Sequence, residues 1–399
     1  MNKITKQKLF DEIDKIDIIE ILSDLVSIPS YENEQGVVEY IEQRLRKLRV
    51  DLEFTEVTPG KQNLIASIGD GEKSLIFNSH TDTVSPGNIE NWTDSPFKLT
   101  RKGDELFGLG SCDAKGSLVA MLVAFEVLAS KPFSFRRVTE EQTLLKGRLM
   151  LQAVCCEETR GRGTLAETTK GIKADAAIIG EPTELVPMIG HKGGLGVEVT
   201  VFGKPAHASS PEEGINAISN MARVIQALDN LAEDISKRRD PLIGKASLAI
   251  TQINGGRATN VIPDQCVITI DRRLIPGETL KDAFDEISAT IDNEKKANPS
   301  LIVSIEEKIG ISPCSISPEE SIVKTVKDSI YQVTKKKREI TGFGACCDMW
   351  CLVEKANIPT VILGPGKLSM AHKVNESVSI NELYEAVKIY TTIALDWLK

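Results

Sequence analysis

Histidine is scarce in this 399-residue sequence, so the positions of its imidazoles are informative. There are four, at His80, His191, His207 and His372. His80 is followed two residues later by Asp82, and His372 comes shortly after an apolar segment that ends at Leu363. Imidazole and carboxylate groups are the ligands that zinc and similar divalent ions take in proteins. These residues therefore indicate metal-assisted hydrolysis.

Acidic residues with a similar setting occur at four more positions. Asp113 stands at the start of a predicted helix, whereas Glu157, Glu158 and Glu181 follow apolar segments. Singly, each could be a helix cap or an ordinary surface residue. Adjacent carboxylates directly after an apolar strand, however, are poorly solvated unless a cation stands nearby. Two imidazoles and at least three carboxylates suit two divalent ions that share one carboxylate.

Short apolar strands alternate with helices in the part of the sequence that supplies these residues. Strands are predicted at 74–78, 148–154, 176–179 and 360–363, and a helix at 115–129. This alternation predicts an α/β fold with a mostly parallel central sheet. Every candidate ligand falls just beyond a strand end or in the loop that follows, which is where open α/β sheets build their sites.

A different order of elements follows Gly190. Strands and helices are predicted in the order β-α-β-β-α-β, which is the ferredoxin-like split unit. Such a unit forms a second domain inserted into the first. We therefore expect a catalytic domain made of residues 1–189 and 309–399, interrupted by an inserted domain at 190–308.

Composition excludes several classes of protein. The sequence has 48 basic and 57 acidic residues, and a net charge of −9 disfavours binding to nucleic acid or to anionic membranes. It contains neither a signal-peptide pattern at its start nor an apolar stretch of ~20 residues. Eight scattered cysteines are too few for a disulfide framework. We expect a cytoplasmic protein with reduced thiols, and a surface excursion in the polar segment 131–146.

Motifs along nearly the whole chain resemble one known family. They include Leu25 to Ser30, His80-Thr81-Asp82, Gly110 to Gly116, Glu157-Glu158, Gly180 to Thr183, Ala206 to Ser209, Asn260 to Pro263, Gly364-Pro365-Gly366 and His372 to Glu376. In this combination and order the sequence resembles the M20 metallopeptidases and deacylases, within them the acetylornithine deacetylase and succinyl-diaminopimelate desuccinylase group. The resemblance implies a zinc-exopeptidase-like catalytic domain and an inserted domain that mediates homodimerisation.

The resemblance also implies roles for individual residues and a cofactor of two Zn²⁺ per chain, for which Co²⁺ or Mn²⁺ could substitute. It assigns His80 and Glu181 to one ion, Glu158 and His372 to the other, and Asp113 to both as a bridge. Glu157 would be the general base, and Asp82 would orient His80. His207 would reach the partner subunit's site and polarise the scissile carbonyl there, and Asn260 and Arg273 would bind the substrate carboxylate. His191, at the domain junction, is expected to be a hinge or structural residue.

The function expected from the resemblance is removal of an acetyl or succinyl group from an N-acyl amino acid. A dipeptidase or carboxypeptidase would need the same centre and is the alternative. The family commonly has a hydroxyl residue where Cys347 stands here, so the choice of substrate stays open. A catalytically dead scaffold protein would lack ligands or base, and this sequence retains all of them.

Overall fold

The computed structural model describes residues 3–130 and 145–399, which divide into two compact units. The first unit holds the chain up to Ile189 together with Ile316–Thr341 and Cys347–Lys399, and the second holds Gly190–Ser315 and Gly342–Cys346. The excursion expected at 131–146 lies outside the described residues except for its last two positions.

In the described part of the chain the helices are α1 (Lys3–Ile13), α2 (Ile18–Ser27), α3 (Gln35–Leu45), α4 (Lys115–Ala129), α5 (Arg162–Thr169), α6 (Ala217–Ile235), α7 (Leu280–Ala297), α8 (Ser321–Thr334) and α9 (Ile380–Trp397). The strands are β1 (Asp51–Thr58), β2 (Lys61–Ile68), β3 (Ser74–His80), β4 (Thr100–Lys102), β5 (Glu105–Phe107), β6 (Arg148–Val154), β7 (Ala177–Ile179), β8 (Met188–His191), β9 (Gly193–Phe202), β10 (Arg239–Asp240), β11 (Gly244–Lys245), β12 (Ser247–Gly255), β13 (Gln265–Leu274), β14 (Ile302–Ile311), β15 (Cys314–Ser315), β16 (Thr341–Phe343), β17 (Thr360–Ile362) and β18 (Ser377–Ser379).

A central sheet organises the first unit, with its strands in the order β1-β2-β6-β3-β7-β17-β8. The inner strands β6, β3, β7 and β17 run parallel. The β1–β2 hairpin extends one side of the sheet antiparallel, and β8 extends the other. β3, β6 and β7 are buried along almost their whole length, as expected for strands that are covered on both faces. The predicted α/β fold with a mostly parallel central sheet is confirmed.

Helix α4 lies at the centre of the helical layer of this unit. Almost all of its residues are buried, and it packs against α9, α2 and strand β3. The rings of Phe77 on β3 and Tyr390 on α9 lie 5.5 Å apart between their centroids. Helix α2 ends at Ser27 because Pro29 disfavours helical backbone at the residue before it.

The second unit is built on a four-stranded antiparallel sheet in the order β12-β13-β9-β14. Alternate residues of β13 are buried, among them Ile268 and Ile270, and they share a core with helices α6 and α7. The chain order β9-α6-β12-β13-α7-β14 is the predicted ferredoxin-like order, with the short β10–β11 hairpin added. The inserted ferredoxin-like fold is therefore confirmed.

Among residues 3–130 and 145–399, no helix combines the length and the apolar composition needed to cross a membrane.

Candidate metal centre

Four parallel strands carry the predicted ligands to one edge of the central sheet. His80 is the last residue of β3, Glu158 follows β6, Glu181 follows β7, and the chain beyond β17 leads to His372. Parallel strands present their carboxyl ends at the same edge, so side chains from distant parts of the sequence meet there. Asp113 enters from the turn that precedes α4; its peptide bond to Ala114 is cis.

One half of the centre surrounds His80. Its Nε2 atom lies 3.2 Å from Oδ1 of Asp113 and 3.9 Å from Oε1 of Glu181, and all three residues are buried. The other ring nitrogen, Nδ1, lies 2.9 Å from the main-chain oxygen of Asp82. A carbonyl accepts hydrogen bonds only, so Nδ1 carries the proton and leaves the Nε2 lone pair free for a metal ion.

The other half of the centre surrounds His372. Its Nε2 atom lies 3.0 Å from Oε1 of Glu158 and 3.4 Å from Oδ2 of Asp113. Asp113 therefore offers one carboxylate oxygen to each imidazole. Ligand atoms of His80, Asp113 and Glu158 all lie within 4.8 Å of one another. The five predicted ligands thus form two groups that meet at Asp113.

The electrostatics of this cluster favour positive ions. Burial, followed by the charge of Asp113, raises the pKa of Glu181 well above its ordinary value. Burial lowers the pKa of His80, but its hydrogen bond to Asp113 and the surrounding carboxylates outweigh this and raise that pKa. The hydrogen bond to Glu158 raises the pKa of His372 to about 9. Crowded carboxylates whose pKa values are raised by burial and by one another's charge, together with nitrogen donors, fit divalent ions such as zinc.

Glu157 lies beside the ligands and has the properties of a proton acceptor. Burial raises its pKa well above the ordinary value for glutamate, and the charges of Asp348 and Glu181 raise it further. A carboxylate whose pKa is shifted towards neutrality is better matched to general acid–base work at neutral pH.

Asp82 holds the acidic pair through the main chain. Its Oδ1 and Oδ2 atoms accept hydrogen bonds of 3.1 Å from the N–H groups of Glu157 and Glu158. Its carboxylate also lies 3.6 Å from Nδ1 of His80, farther than its own main-chain oxygen. Asp82 therefore contacts both the first imidazole and the acidic pair.

A buried aspartate behind Glu157 was not among the residues picked out from the sequence. Oδ2 of Asp348 accepts a 2.6 Å hydrogen bond from Thr164, whose Oγ1 in turn accepts one from Asn78. Burial raises the pKa of Asp348 to about 6. Gly161 packs so closely that a Cβ atom there would lie 2.2 Å from Oδ1 of Asp348. No local pattern in the sequence marks Asp348, because its partner Thr164 is 184 positions away.

Glu34 binds the loop that carries Glu157, and it too was not among the residues picked out from the sequence. Its Oε1 atom accepts a 3.2 Å hydrogen bond from the N–H of Cys156, and its Oε2 atom lies 2.9 Å from Nζ of Lys61. Cys156, which directly precedes Glu157, has a positive φ of 59°. The residue with left-handed backbone geometry is thus hydrogen-bonded to Glu34, the buried member of a partly buried ion pair.

His207 and Asn260 are neighbours in the second unit. His207 forms an isolated β-bridge with Val261, and the N–H of Ala208 donates to the main-chain oxygen of Asn260. The N–H of Ser209 donates to Nδ1 of the exposed His207 ring. Nδ1 therefore acts as an acceptor, which leaves Nε2 to carry a proton that it can donate.

Arg273 lies at the far end of β13 from this pair. Its Nε and Nη2 atoms donate to Oδ1 and Oδ2 of Asp271 at 2.7 and 2.9 Å, and its Nη1 lies 3.5 Å from Sγ of Cys346. Strand β13 is in regular register from Gln265 to beyond Arg273. Eight steps at ~3.4 Å each put roughly 27 Å of strand between the Asn260 end and Arg273. One chain therefore does not bring Asn260 and Arg273 to the same small ligand.

Comparisons with known proteins identify the family. The model of peptidase family M20/M25/M40 matches residues 76–396. The acetylornithine deacetylase of Vibrio atlanticus (strain LGP32) is 32% identical over 366 residues, which cover 88% of this chain and 89% of that protein. The "Probable succinyl-diaminopimelate desuccinylase" of Staphylococcus aureus (strain MRSA252) is 27% identical over 423 residues, with coverage of 98% and 99%.

A solved structure shares the fold over the same extent. The M20 family metallo-carboxypeptidase Sso-CP2 from Sulfolobus solfataricus superposes with a TM-score of 0.79 at 19% identity, and the match covers 96% of this chain and 99% of that one. The resemblance drawn from the motifs is thereby confirmed. The chain belongs to peptidase family M20/M25/M40 and is a hydrolase of that family.

Proposed function

We propose that this hydrolase uses two zinc ions to remove an acetyl or succinyl group from an N-acyl amino acid. The observation that carries the proposal is the placement of Asp113, whose two carboxylate oxygens face two different imidazoles at 3.2 and 3.4 Å. A carboxylate that bridges two ions presents its oxygens in this way. The names of the two curated relatives supply the choice of acyl group.

In this proposal each ion has two ligands of its own and shares a third. His80 and Glu181 would hold one ion, Glu158 and His372 the other, and Asp113 both. When bound, the ions supply positive charge that lowers the pKa of an attacking water towards ~7 and stabilises an oxyanion. Co²⁺ or Mn²⁺ could replace zinc because the same nitrogen and oxygen ligands suit them.

Glu157 is the proposed general base. Its raised pKa suits a group that takes a proton from the attacking water and then passes it to the leaving amine nitrogen. Asp82, through its hydrogen bonds to two successive N–H groups, holds this carboxylate and its neighbour Glu158 in fixed positions.

The second unit is the proposed dimerisation domain, and it supplies the remaining groups. His207, with a proton available on Nε2, would donate to the developing oxyanion. Arg273 would bind the substrate carboxylate with the donors that Asp271 leaves free. Since roughly 27 Å of strand separates Arg273 from the end near His207 and Asn260, all three can act on one substrate only if two subunits contribute. A homodimer meets this requirement.

We place the enzyme in the cytoplasm. Seven of the eight cysteines are buried, and the adjacent Cys155 and Cys156 are free thiols. Adjacent cysteines without disulfides are typical of proteins that work in a reducing compartment.

A peptidase is the second candidate. The solved structure with similar fold is a metallo-carboxypeptidase, and cleavage of a peptide bond needs the same water, base and oxyanion donors. Cys347 stands where the family commonly has a hydroxyl residue, which leaves the choice between acyl amino acids and peptides open to the assay.

Turnover of N-acetylornithine, N-succinyl-diaminopimelate and a dipeptide panel, measured side by side on the zinc-loaded protein, tests the proposal. We expect one of the two acyl amino acids to be the preferred substrate by kcat/KM. The Glu157→Gln variant, prepared in the same way, serves as the background for contaminating hydrolases. Preference for dipeptides would support the second candidate, and absence of turnover on the whole panel would contradict both.

A further inference from the structure

We propose that Glu376 is a positioning residue that fixes the bridging carboxylate of Asp113; this inference rests on the proposed two-ion centre. Glu376 belongs neither to the five proposed ligands nor to the groups that would contact substrate. Its side chain is only 1% exposed.

The carboxylate of Glu376 accepts hydrogen bonds from the main chain of the turn that carries Asp113. Oε1 accepts hydrogen bonds of 2.8 Å from the N–H groups of Cys112 and Asp113, and Oε2 accepts one of 3.0 Å from Gly110. The three distances are those of well-formed N–H···O hydrogen bonds. Three of them from one turn leave the turn little freedom to rotate.

The main chain of Glu376 holds the same turn from a second side. Its carbonyl oxygen accepts a 3.0 Å hydrogen bond from the N–H of Gly108 and a 3.4 Å one from Oγ of Ser111. Glu376 thus accepts hydrogen bonds from five donors of the turn 108–113. One of these donors is the N–H of Asp113, the proposed bridging ligand.

Glu376 also connects the bridge with the second imidazole. His372 lies four residues before it, and strand β18 begins at the next residue, where Ser377 pairs with Phe107 of β5. Asn375 lies between His372 and Glu376 in the sequence, and its Oδ1 accepts a 2.9 Å hydrogen bond from the N–H of Thr93. The loop that carries His372 and the turn that carries Asp113 are therefore fastened to each other at Glu376. The 3.4 Å approach of His372 Nε2 to Asp113 Oδ2 depends on this connection.

The chemistry of the site requires a carboxylate and not merely a polar side chain. Glutamine has one oxygen in place of two, and its amide group would bring N–H donors against the N–H groups of the turn. Glu376→Gln should therefore let the turn rotate and move the Asp113 oxygens away from the geometry that two ions need. Residues that orient metal ligands typically matter for affinity by ~10–100-fold.

Glu382 offers a matched control. Its Oε2 atom also accepts a main-chain hydrogen bond, at 2.8 Å from Gly366, although its side chain is partly buried where that of Glu376 is fully buried. It contacts none of the proposed ligands within the described hydrogen bonds. Glu382→Gln therefore reproduces the loss of a carboxylate that accepts a main-chain hydrogen bond without disturbing the Asp113 turn.

Metal-free wild type, Glu376→Gln and Glu382→Gln should be titrated with Co²⁺, with the visible absorption of the ion and the stoichiometry as readouts. We expect Glu376→Gln to bind at least one of the two ions ~10-fold or more weakly, with an altered cobalt spectrum, and Glu382→Gln to match wild type. Unchanged affinity and spectrum in Glu376→Gln, against a wild type that binds two ions, would overturn this inference alone. A wild type that does not bind two ions would instead refute the proposed function.

Glu376→Asp keeps the test decisive if the glutamine variant does not fold. Aspartate keeps the charge but is one methylene shorter, so it cannot reach all three N–H groups. We expect weakened binding and an altered spectrum again. Wild-type behaviour of the aspartate variant would overturn the inference.

Discussion

The neighbouring acids Glu157 and Glu158 differ sharply in what they contact. Glu158 lies 3.0 Å from His372, whereas burial and the charges of Asp348 and Glu181 raise the pKa of Glu157. Adjacent residues in a sequence can thus take separate roles when the chain turns between them. The carboxylate of Asp82 holds the main chain in this turn, because it accepts a hydrogen bond from the N–H of each residue.

Substitution of each acid separately should distinguish the two roles. Glu157→Gln should retain both metal ions but lose ~10²–10⁴-fold in kcat, because the amide keeps the shape and cannot accept the proton. Glu158→Gln should bind less metal, since a ligand to one ion is weakened. Metal content by elemental analysis and kcat on the same preparations are the measurements. If both variants lost metal and rate to the same extent, the two roles would be wrongly divided.

Four of the five candidate ligands, His80, Glu158, Glu181 and His372, could be predicted from the sequence because they lie at or after a strand end, whereas Asp113 lies at the start of a helix and was assigned as the bridge by the family resemblance. A strand end is a local feature, and the parallel sheet then brings such ends together. Asp348 and Glu376 could not be predicted in this way. Their roles depend on Thr164 and on main-chain N–H groups 263 to 266 positions away, which no local pattern reports.

At the scale of elements, apolar runs predicted the inner strands well. β6 and helix α4 have the predicted bounds, and β3 extends two residues further, to His80. The β1–β2 hairpin was missed because β1 is mostly exposed and shows no apolar run. Strands β4, β5 and β18 are three residues each, too short to leave a pattern, yet they hold the loop that carries Glu376.

His191, at the end of β8, allows a test of how burial of a histidine changes the pH dependence of stability. The ring is fully buried, Nδ1 lies 2.7 Å from the main-chain oxygen of Lys192, and Nε2 has no hydrogen-bond partner among residues 3–130 and 145–399. Burial lowers the pKa of His191 from 6.5 to about 4. Between these values the unfolded chain binds the proton and the folded chain does not, so the free energy of unfolding falls as the pH falls from 6.5 to 4.

His191→Gln should remove this contribution. Between pH 7 and pH 5 the free energy of unfolding of the variant should fall by ~2 kcal/mol less than that of wild type. This figure is about 1.4 kcal/mol per pH unit multiplied by the ~1.5 pH units between 6.5 and 5. Denaturant unfolding at both pH values measures this difference, with exposed His207→Gln as the control. Equal acid sensitivity of His191→Gln and wild type would show that His191 is protonated in the folded state.

At the scale of the whole molecule, the length of β13 makes the assembly part of the proposed mechanism. The groups near His207 and the guanidinium of Arg273 lie at opposite ends of one strand. A single chain therefore cannot offer both to one small substrate, and the dimer implied by the resemblance would resolve this.

Subunit mixing tests that arrangement. His207→Ala and Glu157→Gln chains should each be nearly inactive alone. In mixed dimers one of the two sites has Glu157 from the first chain and His207 from the second, so random exchange should restore about a quarter of wild-type activity. A mixture of Glu157→Gln and Glu158→Gln chains should gain nothing, because both changes affect the same unit. No recovery after verified exchange would mean that His207 acts within its own chain or not at all.

The proposed mechanism depends on two ions that share Asp113, and metal stoichiometry tests this most directly. Wild-type protein should be stripped with chelator, reconstituted with excess zinc, freed of unbound metal and measured by elemental analysis. We predict two zinc ions per chain for wild type and fewer for Asp113→Ala, which removes a ligand from both halves of the centre. One ion or none per wild-type chain after full reconstitution would contradict the account.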